Sequence, residues 1–367
     1  MNGTIGGAIP TDTMGRELAE GPQAVSATLA EVERMRPELG AALGSARRIV
    51  PVGTGASLAA IHTAAPLWRR RLRAGADRLA GDRSVVEIVV RQSAEAVLGE
   101  LDGLHWRPSD LVIAVSQSGT SPETLRAARD ARDLGATLIA VTAHPESPLA
   151  TGADLVLTLA SGLESDASTK SALATHAALL ATGGLIAGGG GAADVLSARL
   201  QAMVDDPAWA RRAGGALARA GHTWLVGFGA GLGIAEGGAL LWHEKVVRPA
   251  VAATPSEFRH GLIEAIQAGD GVVLIDVDDP QSARGDYLVR LHRELDTLGA
   301  GLLELTFEEA AGPIGPAERA LEALLRIQQL AHATAVAGAT YRDGFQVLRR
   351  VVEPATELTE RTEPRVD

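Results

Sequence analysis

The stretch DLVIAVSQSGTSPETLRAARDARDLG (110–135) decides the fold. Its first part, 110–116, is a short apolar run rich in β-branched residues, which predicts a buried strand. A loop of serine, threonine and glycine follows, and 121–135 has the pattern of an amphipathic helix that ends at Gly135. A strand that leads through a short polar loop into a helix is the repeating unit of a parallel α/β sheet.

The same alternation continues on both sides of this stretch. Further strand candidates in the first half are 47–53, 85–90, 137–143 and 154–160. The second half offers 222–229, 271–279 and 299–306, and then a long helix over about 317–340. We therefore predict an α/β fold of two tandem domains, each a doubly wound five-stranded parallel sheet flanked by helices.

A glycine-rich run at 183–194 marks the break between the halves, because consecutive glycines disfavour both helix and strand. The predicted organisation is an N-terminal helical segment (1–46), a first domain (47–190), a second domain (198–350) and a C-terminal tail (351–367).

The composition is that of a folded, acidic protein, with 46% hydrophobic residues, 22% charged residues and a formal net charge of -11. The negative charge argues against a nucleic-acid partner, which needs a basic surface. The absence of cysteine excludes disulfides, thiolate nucleophiles and cysteine-ligated metal sites. No apolar stretch approaches the roughly 20 residues of a membrane span, and no signal-peptide pattern opens the chain. We therefore expect a cytoplasmic protein with no membrane partner.

Three loops at the predicted carboxyl ends of strands are candidates for holding a phosphate, because helix N-termini present unpaired N–H groups there. Their candidate binding residues are Gly53, Thr54 and Ser57; Ser116, Gln117, Ser118 and Ser121; and Ser168 with Lys170. Hydroxyls and backbone amides suit the acceptor oxygens of a phosphate, and Lys170 would add positive charge. Ordinary turns, helix caps and a solvated lysine remain the alternative interpretation.

The stretch VGFGAGLG (226–233) has the glycine spacing of a dinucleotide-binding loop. An acidic residue that would bind ribose is expected about 20 residues further on, and the chain has VVRPAVAATPS (246–256) there instead. A tight turn into a helix is the better interpretation.

Several segments, taken in order, resemble one known family. SQSGTSPET (116–124) resembles the phosphate loop of sugar isomerase (SIS) domains. The isomerase portion of glucosamine-6-phosphate synthase, and its relatives without a glutaminase domain, have segments similar to MGRELAEGP (14–22), VGTGAS (52–57), ASTK (167–170), GGALLWHEK (237–245) and SEFRHG (256–261). A weaker similarity lies in ATELTERTE (355–363).

The resemblance implies two tandem SIS domains and a site for a phosphorylated sugar. It places Thr54, Ser116, Gln117, Ser118, Ser121 and Ser168 around that ligand. It implies that Glu244 moves a proton between sugar C1 and C2, and that His260 opens the sugar ring from the neighbouring subunit of a homodimer. No metal or nucleotide cofactor is implied. From the residues alone, Glu244 could equally be a solvated charge, and His260 could pair with Glu257 on a helix surface.

Two positions depart from the family pattern. Leu241 stands where the family has a lysine three residues before the catalytic glutamate, and about Glu357 stands where it has a C-terminal lysine. The chain has only two lysines, Lys170 and Lys245. Assistance by an amine at either departed position is therefore in doubt.

The sequence favours an isomerase or isomerase/deaminase that acts on a hexose 6-phosphate through ring opening and C1–C2 proton transfer. The alternative is a non-catalytic protein that senses a phosphosugar with the same pocket. A dinucleotide-dependent oxidoreductase is disfavoured because the acidic residue expected after the glycine stretch 226–233 is absent.

Overall fold

The computed structural model describes residues 12–78, 86–97, 105–186, 191–278, 285–305 and 314–346. Two parallel sheets, both flanked by helices, form its framework. The predicted α/β class with parallel sheets is confirmed. The C-terminal tail predicted for 351–367 lies outside the described residues.

The first sheet has the strand order β2-β1-β4-β5-β6, with β3 also paired to β1. Its strands are β1 Arg48–Gly53, β2 Glu87–Ile88, β3 Arg91–Gln92, β4 Asp110–Val115, β5 Thr137–Thr142 and β6 Leu155–Thr158. All of these strand pairs are parallel. Every residue of β1 and β4 is buried, as expected for central strands covered on both faces.

The edge strand predicted over 85–90 is split in the structure. Arg48 pairs with Glu87, and Val52 pairs with Arg91, so the register along β1 is unchanged across the gap. The first sheet therefore has five strand positions, as predicted, with an interrupted edge strand that extends to Gln92.

The second sheet has the order β10-β9-β7-β8 among the described residues. Its strands are β7 Thr223–Phe228, β8 Ala250–Ala253, β9 Gly271–Asp276 and β10 Gly301–Glu304. The predicted five strands are therefore wrong for the part of this half that the structure describes. In addition, β8 lies in a stretch for which no strand was predicted.

The helices cover the two sheets and extend before the first one. They are α1 Thr13–Ala19, α2 Gly21–Arg34, α3 Arg36–Ser45, α4 Ala56–Arg78, α5 Ser93–Val97, α6 Pro122–Asp133, α7 Pro148–Thr151, α8 Lys170–Thr182, α9 Gly191–Asp205, α10 Ala208–Leu217, α11 Gly231–Leu241, α12 Pro255–Arg259, α13 Gly285–Leu298 and α14 Pro316–Ala337. A π-helical turn, Trp242–Val246, continues α11, and a 3₁₀ turn spans Leu262–Ala265.

The two halves share one apolar core. Leu173 of α8, Leu225 of β7 and Leu325 of α14 are fully buried in the same cluster. Gln328 of α14 also donates a hydrogen bond from Nε2 to the carbonyl oxygen of Thr169, at 2.9 Å. Burial of apolar surface is the main favourable term in folding, at about 25 cal/mol per Å². Because the buried cluster contains residues of both halves, the halves stabilise one another.

Helices α4 and α11 pack closely across the boundary between the halves. A Cβ on Gly233 would lie 2.3 Å from the carbonyl oxygen of Ala59, so only glycine allows this approach. His62 Nδ1 of α4 and Glu236 Oε2 of α11 lie at hydrogen-bond distance, 2.5 Å apart, on the partly exposed side of the contact. Among the described residues, no helix is long and apolar enough to cross a membrane.

Candidate functional site

The predicted phosphate loops lie at the carboxyl edge of the first sheet. The loop 53–57 follows β1, and the loop 116–121 follows β4, the neighbouring strand. Each loop leads directly into a helix, α4 or α6. Neighbouring parallel strands end at the same edge, so this topology brings the two loops side by side.

Hydroxyl groups face one another inside the loop after β4. The Oγ atoms of Ser116 and Ser121 are 3.0 Å apart, and the N–H of Gly119 donates to Ser116 Oγ at 3.2 Å. Ser118 Oγ accepts from the backbone N–H and the hydroxyl of Thr120. Ser121 precedes α6, and its side chain makes no capping hydrogen bond. The simple capping interpretation therefore does not account for Ser121.

Backbone contacts fix the shape of this loop. The carbonyl of Gln117 accepts hydrogen bonds from the N–H of Ala143 at 2.9 Å and the hydroxyl of Thr142 at 3.1 Å, while its side chain is half-buried. Gly119 has φ +65°, and a Cβ there would lie 2.0 Å from Ser147 Oγ. A side chain at this position would collide with the next loop, so the tight turn requires glycine.

The loop after β1 is short and open. Thr54 is exposed, Ser57 is half-buried, and the N–H of Ser57 donates to the carbonyl of Thr54 at 3.2 Å. A Cβ on Gly53 would lie 3.1 Å from the Cβ of Ser57. The strand and the start of α4 therefore approach closely, and the loop exposes its polar groups at the sheet edge.

The third loop reaches the same place because α8 runs parallel to α4. Thr63 Oγ1 lies 3.3 Å from His176 Nε2, and Trp68 Nε1 donates to the Leu179 carbonyl at 3.0 Å. The difference in residue number between the contacting residues of α4 and α8 is nearly the same for both pairs. Following both helices back by six residues sets Lys170 beside Ser57. The start of α8, with Ser168, therefore flanks the start of α4.

Ser168 is linked to a carboxylate that the sequence did not single out. Ser168 Oγ lies 2.7 Å from Ser171 Oγ, and the hydroxyl of Ser171 donates to Glu164 Oε2. Glu164 Oε1 accepts from the N–H and hydroxyl of Thr169, at 2.9 and 3.0 Å, and from the N–H of Ser171. Burial raises the pKa of Glu164, while these donors act to lower it.

Lys170 is placed differently from its predicted role. Its side chain is buried, and its ammonium forms an ion pair with Glu20, at the junction of α1 and α2. In this structure the positive charge therefore ties the N-terminal helices to α8. Its service as a wall of an anion site stays a prediction.

Helix α11 carries Glu244 toward the same edge. It runs antiparallel to α4, because Gly233 lies against Ala59 and Thr63, whereas Leu240 Cδ2 lies 3.8 Å from a Cβ built on Gly55. Glu244 follows Leu240 by four residues, about one helical turn. It therefore lies past the beginning of α4, over the carboxyl edge of the first sheet.

The Glu244 carboxyl is suited to proton transfer. It is half-buried, and no side chain or backbone group in the described part of the chain hydrogen-bonds to it. Burial raises its pKa to about 7. A carboxyl group that titrates near neutral pH can take up and return a proton, which is the property of a general base.

His260 lies apart from these contacts. It is exposed at the end of α12, and within the described residues its ring makes no hydrogen bond. Glu257 is engaged in a capping box with Thr254, so it is not the partner of His260. The predicted role of His260 in a neighbouring subunit's site stays a prediction.

Lys245 adjoins Glu244 but points into the protein. Its ammonium pairs with Asp166 and donates to the carbonyl of Gly344 at 2.8 Å. Burial lowers its pKa to about 8. The neighbouring His243 accepts from the N–H of Ala250 through Nε2, at 3.2 Å. Together these contacts fix the turn that carries Glu244.

The two departures from the family pattern fare differently. Leu241 is buried in the shared core, so it presents no polar group to the site. Glu357 lies outside the described residues. The glycine stretch 226–233 forms a strand, a turn with Gly229 at φ +53°, and α11, as predicted for a tight turn into a helix.

These features define a parallel α/β protein with hydroxyl-rich loops at one sheet edge, and part of the chain is similar to a known family. Residues 99–183 match the family model of the SIS domain. This match includes the loop 116–121 and the start of α8. The predicted resemblance to SIS proteins is thereby confirmed, and residues 99–183 are similar to a SIS domain.

Two curated relatives illustrate the range of similar proteins. A glutamine–fructose-6-phosphate aminotransferase (isomerizing) of Pyrobaculum aerophilum is 29% identical over 274 residues, which are 72% of this chain and 43% of that protein. An N-acetylmuramic acid 6-phosphate etherase of Aeromonas hydrophila is 28% identical over 167 residues, 42% of this chain and 56% of that protein. The chain thus spans about half the length of these relatives.

Solved structures show the same fold over nearly the whole chain. The C-terminal domain of glucosamine-fructose-6-phosphate aminotransferase from Francisella tularensis has a TM-score of 0.74 at 19% identity, covering 93% of this chain and 100% of that one. A tagatose-6-phosphate ketose/aldose isomerase from Escherichia coli has a TM-score of 0.71 at 20% identity, covering 89% and 93%.

Proposed function

We propose that the protein is a phosphosugar isomerase, or an amino-sugar-phosphate isomerase/deaminase, that acts on a hexose 6-phosphate at the carboxyl edge of the first sheet. On this proposal both sheets belong to SIS domains in tandem, and the chain works in the cytoplasm as a homodimer. Relatives named as an aminotransferase (isomerizing) and an etherase of 6-phosphorylated sugars support the substrate class.

The observation that carries the proposal is the state of Glu244. Its carboxyl is half-buried, titrates near pH 7 and makes no hydrogen bond to the described residues. A structural carboxylate is normally paired or solvated. One that is partly desolvated beside hydroxyl-rich loops is poised to react with a ligand held there.

The chemistry divides among three groups of residues. Hydroxyls of Thr54, Ser116, Ser118 and Ser121 hold the phosphate through its oxygens. His260, from the partner subunit, gives a proton to the ring oxygen so that the sugar opens. Glu244 then removes the proton at C2 of the open aldose and returns it to C1, through an enediol, to give the ketose. With an amino group at C2, the ketose imine is formed instead, and water releases ammonia.

A non-catalytic phosphosugar sensor is the second candidate. Leu241 is buried at the position of a family lysine, so the proton transfer has less support than the family pattern provides. A sensor would keep the hydroxyl loops and bind the same ligand without turnover.

The proposal is tested by a thermal-shift screen of hexose and amino-hexose 6-phosphates, followed by assays of aldose–ketose conversion and ammonia release. We expect Glu244→Gln to bind the best ligand and to lose at least about 100-fold in kcat, the usual contribution of a general base. Glu38→Gln, an exposed change on α3, is the matched control and should retain wild-type turnover.

The pH profile supplies a second criterion. Glu244 must be ionised to act as a base, so kcat/KM of the wild type should fall as the pH drops below about 7. Full turnover by the glutamine variant would overturn the assignment of the base. Ligand stabilisation with no turnover by the wild type would favour the sensor.

A further inference from the structure

A chain of hydrogen bonds leads from a carboxylate to the surface of the proposed site. Glu164 Oε2 accepts from the hydroxyl of Ser171, whose Oγ lies 2.7 Å from Ser168 Oγ. Ser171 is buried, and Ser168 is half-buried at the start of α8. Glu164 and Ser171 have no part in the function proposed above.

The donor and the acceptor in each of these hydrogen bonds follow from the chemistry of the groups. An ionised carboxylate has no proton, so it can only accept, and Ser171 must donate to it. A hydroxyl has a single proton, and that of Ser171 is then used. In the Ser168–Ser171 contact the donor must therefore be Ser168. Its oxygen turns only lone pairs toward the site.

The other contacts of Glu164 favour this ionised state and oppose the burial that raises its pKa. Oε1 accepts three hydrogen bonds, two of them from the backbone N–H groups of Thr169 and Ser171. Donors aimed at both oxygens stabilise the charged form. They also hold the carboxylate at the helix start, where negative charge is favourable.

We propose that Ser168 is an obligate hydrogen-bond acceptor in the sugar site, that Glu164 is the positioning residue that imposes this polarity through Ser171, and that Ser168 binds the donor group at C2 of the sugar. This inference rests on the proposed function. We place this donor at C2 because Ser168 and Glu244 both flank the start of α4, and on the proposed function Glu244 acts at C1 and C2.

The polarity has two consequences for specificity. Phosphate oxygens accept hydrogen bonds, so Ser168 does not serve the phosphate, which is left to the loops after β1 and β4. An ammonium group at C2 can only donate, and a hydroxyl can rotate to do either. Both groups can therefore donate to a fixed acceptor, but the bond from the ammonium is charge-assisted and stronger, so Ser168 favours a 2-amino sugar phosphate over its 2-hydroxy counterpart.

The experiment reverses the polarity without removing the chain of bonds. In Glu164→Gln, the amide oxygen can still accept from the backbone, while the amide NH₂ donates to Ser171. Ser171 then donates to Ser168, which becomes a donor toward the site. Dissociation constants would be measured for glucosamine 6-phosphate, glucose 6-phosphate and inorganic phosphate in the full-length chain.

We expect Glu164→Gln to raise the dissociation constant of glucosamine 6-phosphate by on the order of tenfold or more, because one charged hydrogen bond is lost. The dissociation constant of glucose 6-phosphate should change by less than about threefold, because its hydroxyl can either donate to Ser168 or accept from it. That of inorganic phosphate should not change, because phosphate does not bind Ser168. Ser171→Ala frees the Ser168 hydroxyl to rotate, so it should reduce the preference for the amino sugar by a smaller factor.

A double-mutant cycle separates positioning from structural damage. In a Ser168→Ala background, Glu164→Gln should have no further effect on the ratio of the two sugar affinities. An effect that persists there, or an equal loss for all three probes, would overturn the inference and leave the proposed function intact. A wild type that binds neither sugar phosphate would overturn both.

Discussion

The carboxyl of Glu244 is partly desolvated by the surrounding protein. Burial raises its pKa to about 7. A shift of that kind disfavours the charged form in the folded protein only. The unfavourable contribution of Glu244 to the free energy of unfolding therefore grows as the pH rises.

Replacing Glu244 should stabilise the protein in a pH-dependent way. The folded pKa is raised from the ordinary value of 4.5, so the wild type loses stability as the pH rises from about 4.5 through about 7. Glutamine does not titrate. The free energy of unfolding of Glu244→Gln should therefore exceed that of the wild type at pH 8, by on the order of 2 kcal/mol, and the gain should shrink at pH 5.

Calorimetry at the two pH values measures this difference, with Glu38→Gln as the control that should show no such trend. A gain that is equal at pH 5 and pH 8 would contradict the desolvation of Glu244. The outcome does not depend on whether the protein has catalytic activity.

At the residue scale, the sequence could indicate the groups that lie within short motifs. Ser116, Ser118 and Ser121 stand within six positions, and the strand before them fixes where they lie. The link between Glu164 and Ser171, and the pairing of Lys245 with Asp166, could not be predicted in the same way. The first depends on the conformation of the loop before α8. The second depends on tertiary contact, since Lys245 and Asp166 are 79 residues apart.

The π-helical turn that carries Glu244 ends in an unfavourable conformation. Val247 has φ +55°, in the left-handed region, where a β-branched residue is seldom found. Its N–H closes the turn by donating to the Trp242 carbonyl at 2.8 Å. Turns of this type are frequent at functional sites, and this one carries Glu244.

Val247→Gly should relieve this strain. The left-handed conformation costs a non-glycine residue about 1–2 kcal/mol, and glycine loses about 0.5–1 kcal/mol through its flexibility when unfolded. Val247 is 44% exposed, so little burial is lost. We expect a net stabilisation of up to about 1 kcal/mol, measured by the denaturant midpoint.

Ala339, with φ +53° after α14, offers a matched comparison. Ala339→Gly should give a smaller gain, because alanine is not β-branched. A lower midpoint for Val247→Gly than for the wild type would contradict the account of strain.

At the element scale, the sequence predicted the strands that are long, apolar and β-branched. Strand β8 was missed because its four residues, 250–253, are mostly alanine and follow Pro249. Its pairing with β7 overrides that weak local preference. The split of the edge strand is likewise a matter of sheet geometry, since 85–90 has an unbroken apolar pattern except for Glu87.

The packing of α4 against α11 places Glu244 relative to the loops of the first sheet. Each helix begins at the carboxyl edge of its own sheet, and their antiparallel contact brings the end of α11 over the first sheet. The sequence predicted two similar halves. It could not predict this contact, because Gly233 carries no hydrophobic signal and acts by allowing close approach.

The proposed homodimer can be tested by mixing two inactive variants. If a site takes Glu244 from one subunit and His260 from the other, a mixed dimer of Glu244→Gln and His260→Ala has one intact site out of two. Random mixing should therefore restore about a quarter of the wild-type activity in a symmetric dimer.

The mixture would be unfolded and refolded together, and its size measured by light scattering. Each variant alone serves as the inactive control. A dimer of the right size without recovered activity would show that both residues act within one subunit.

The two lysines of the chain have a consequence for its chemical durability. Both are buried, and their ammonium groups are held by Glu20 and Asp166. A sugar phosphate in its open form is an aldehyde, and aldehydes condense with free amines. A protein that opens sugar rings would expose its own lysines to glycation with every turnover. Here the surface cations are arginines, so the protein could process such an aldehyde without offering it a lysine to attack.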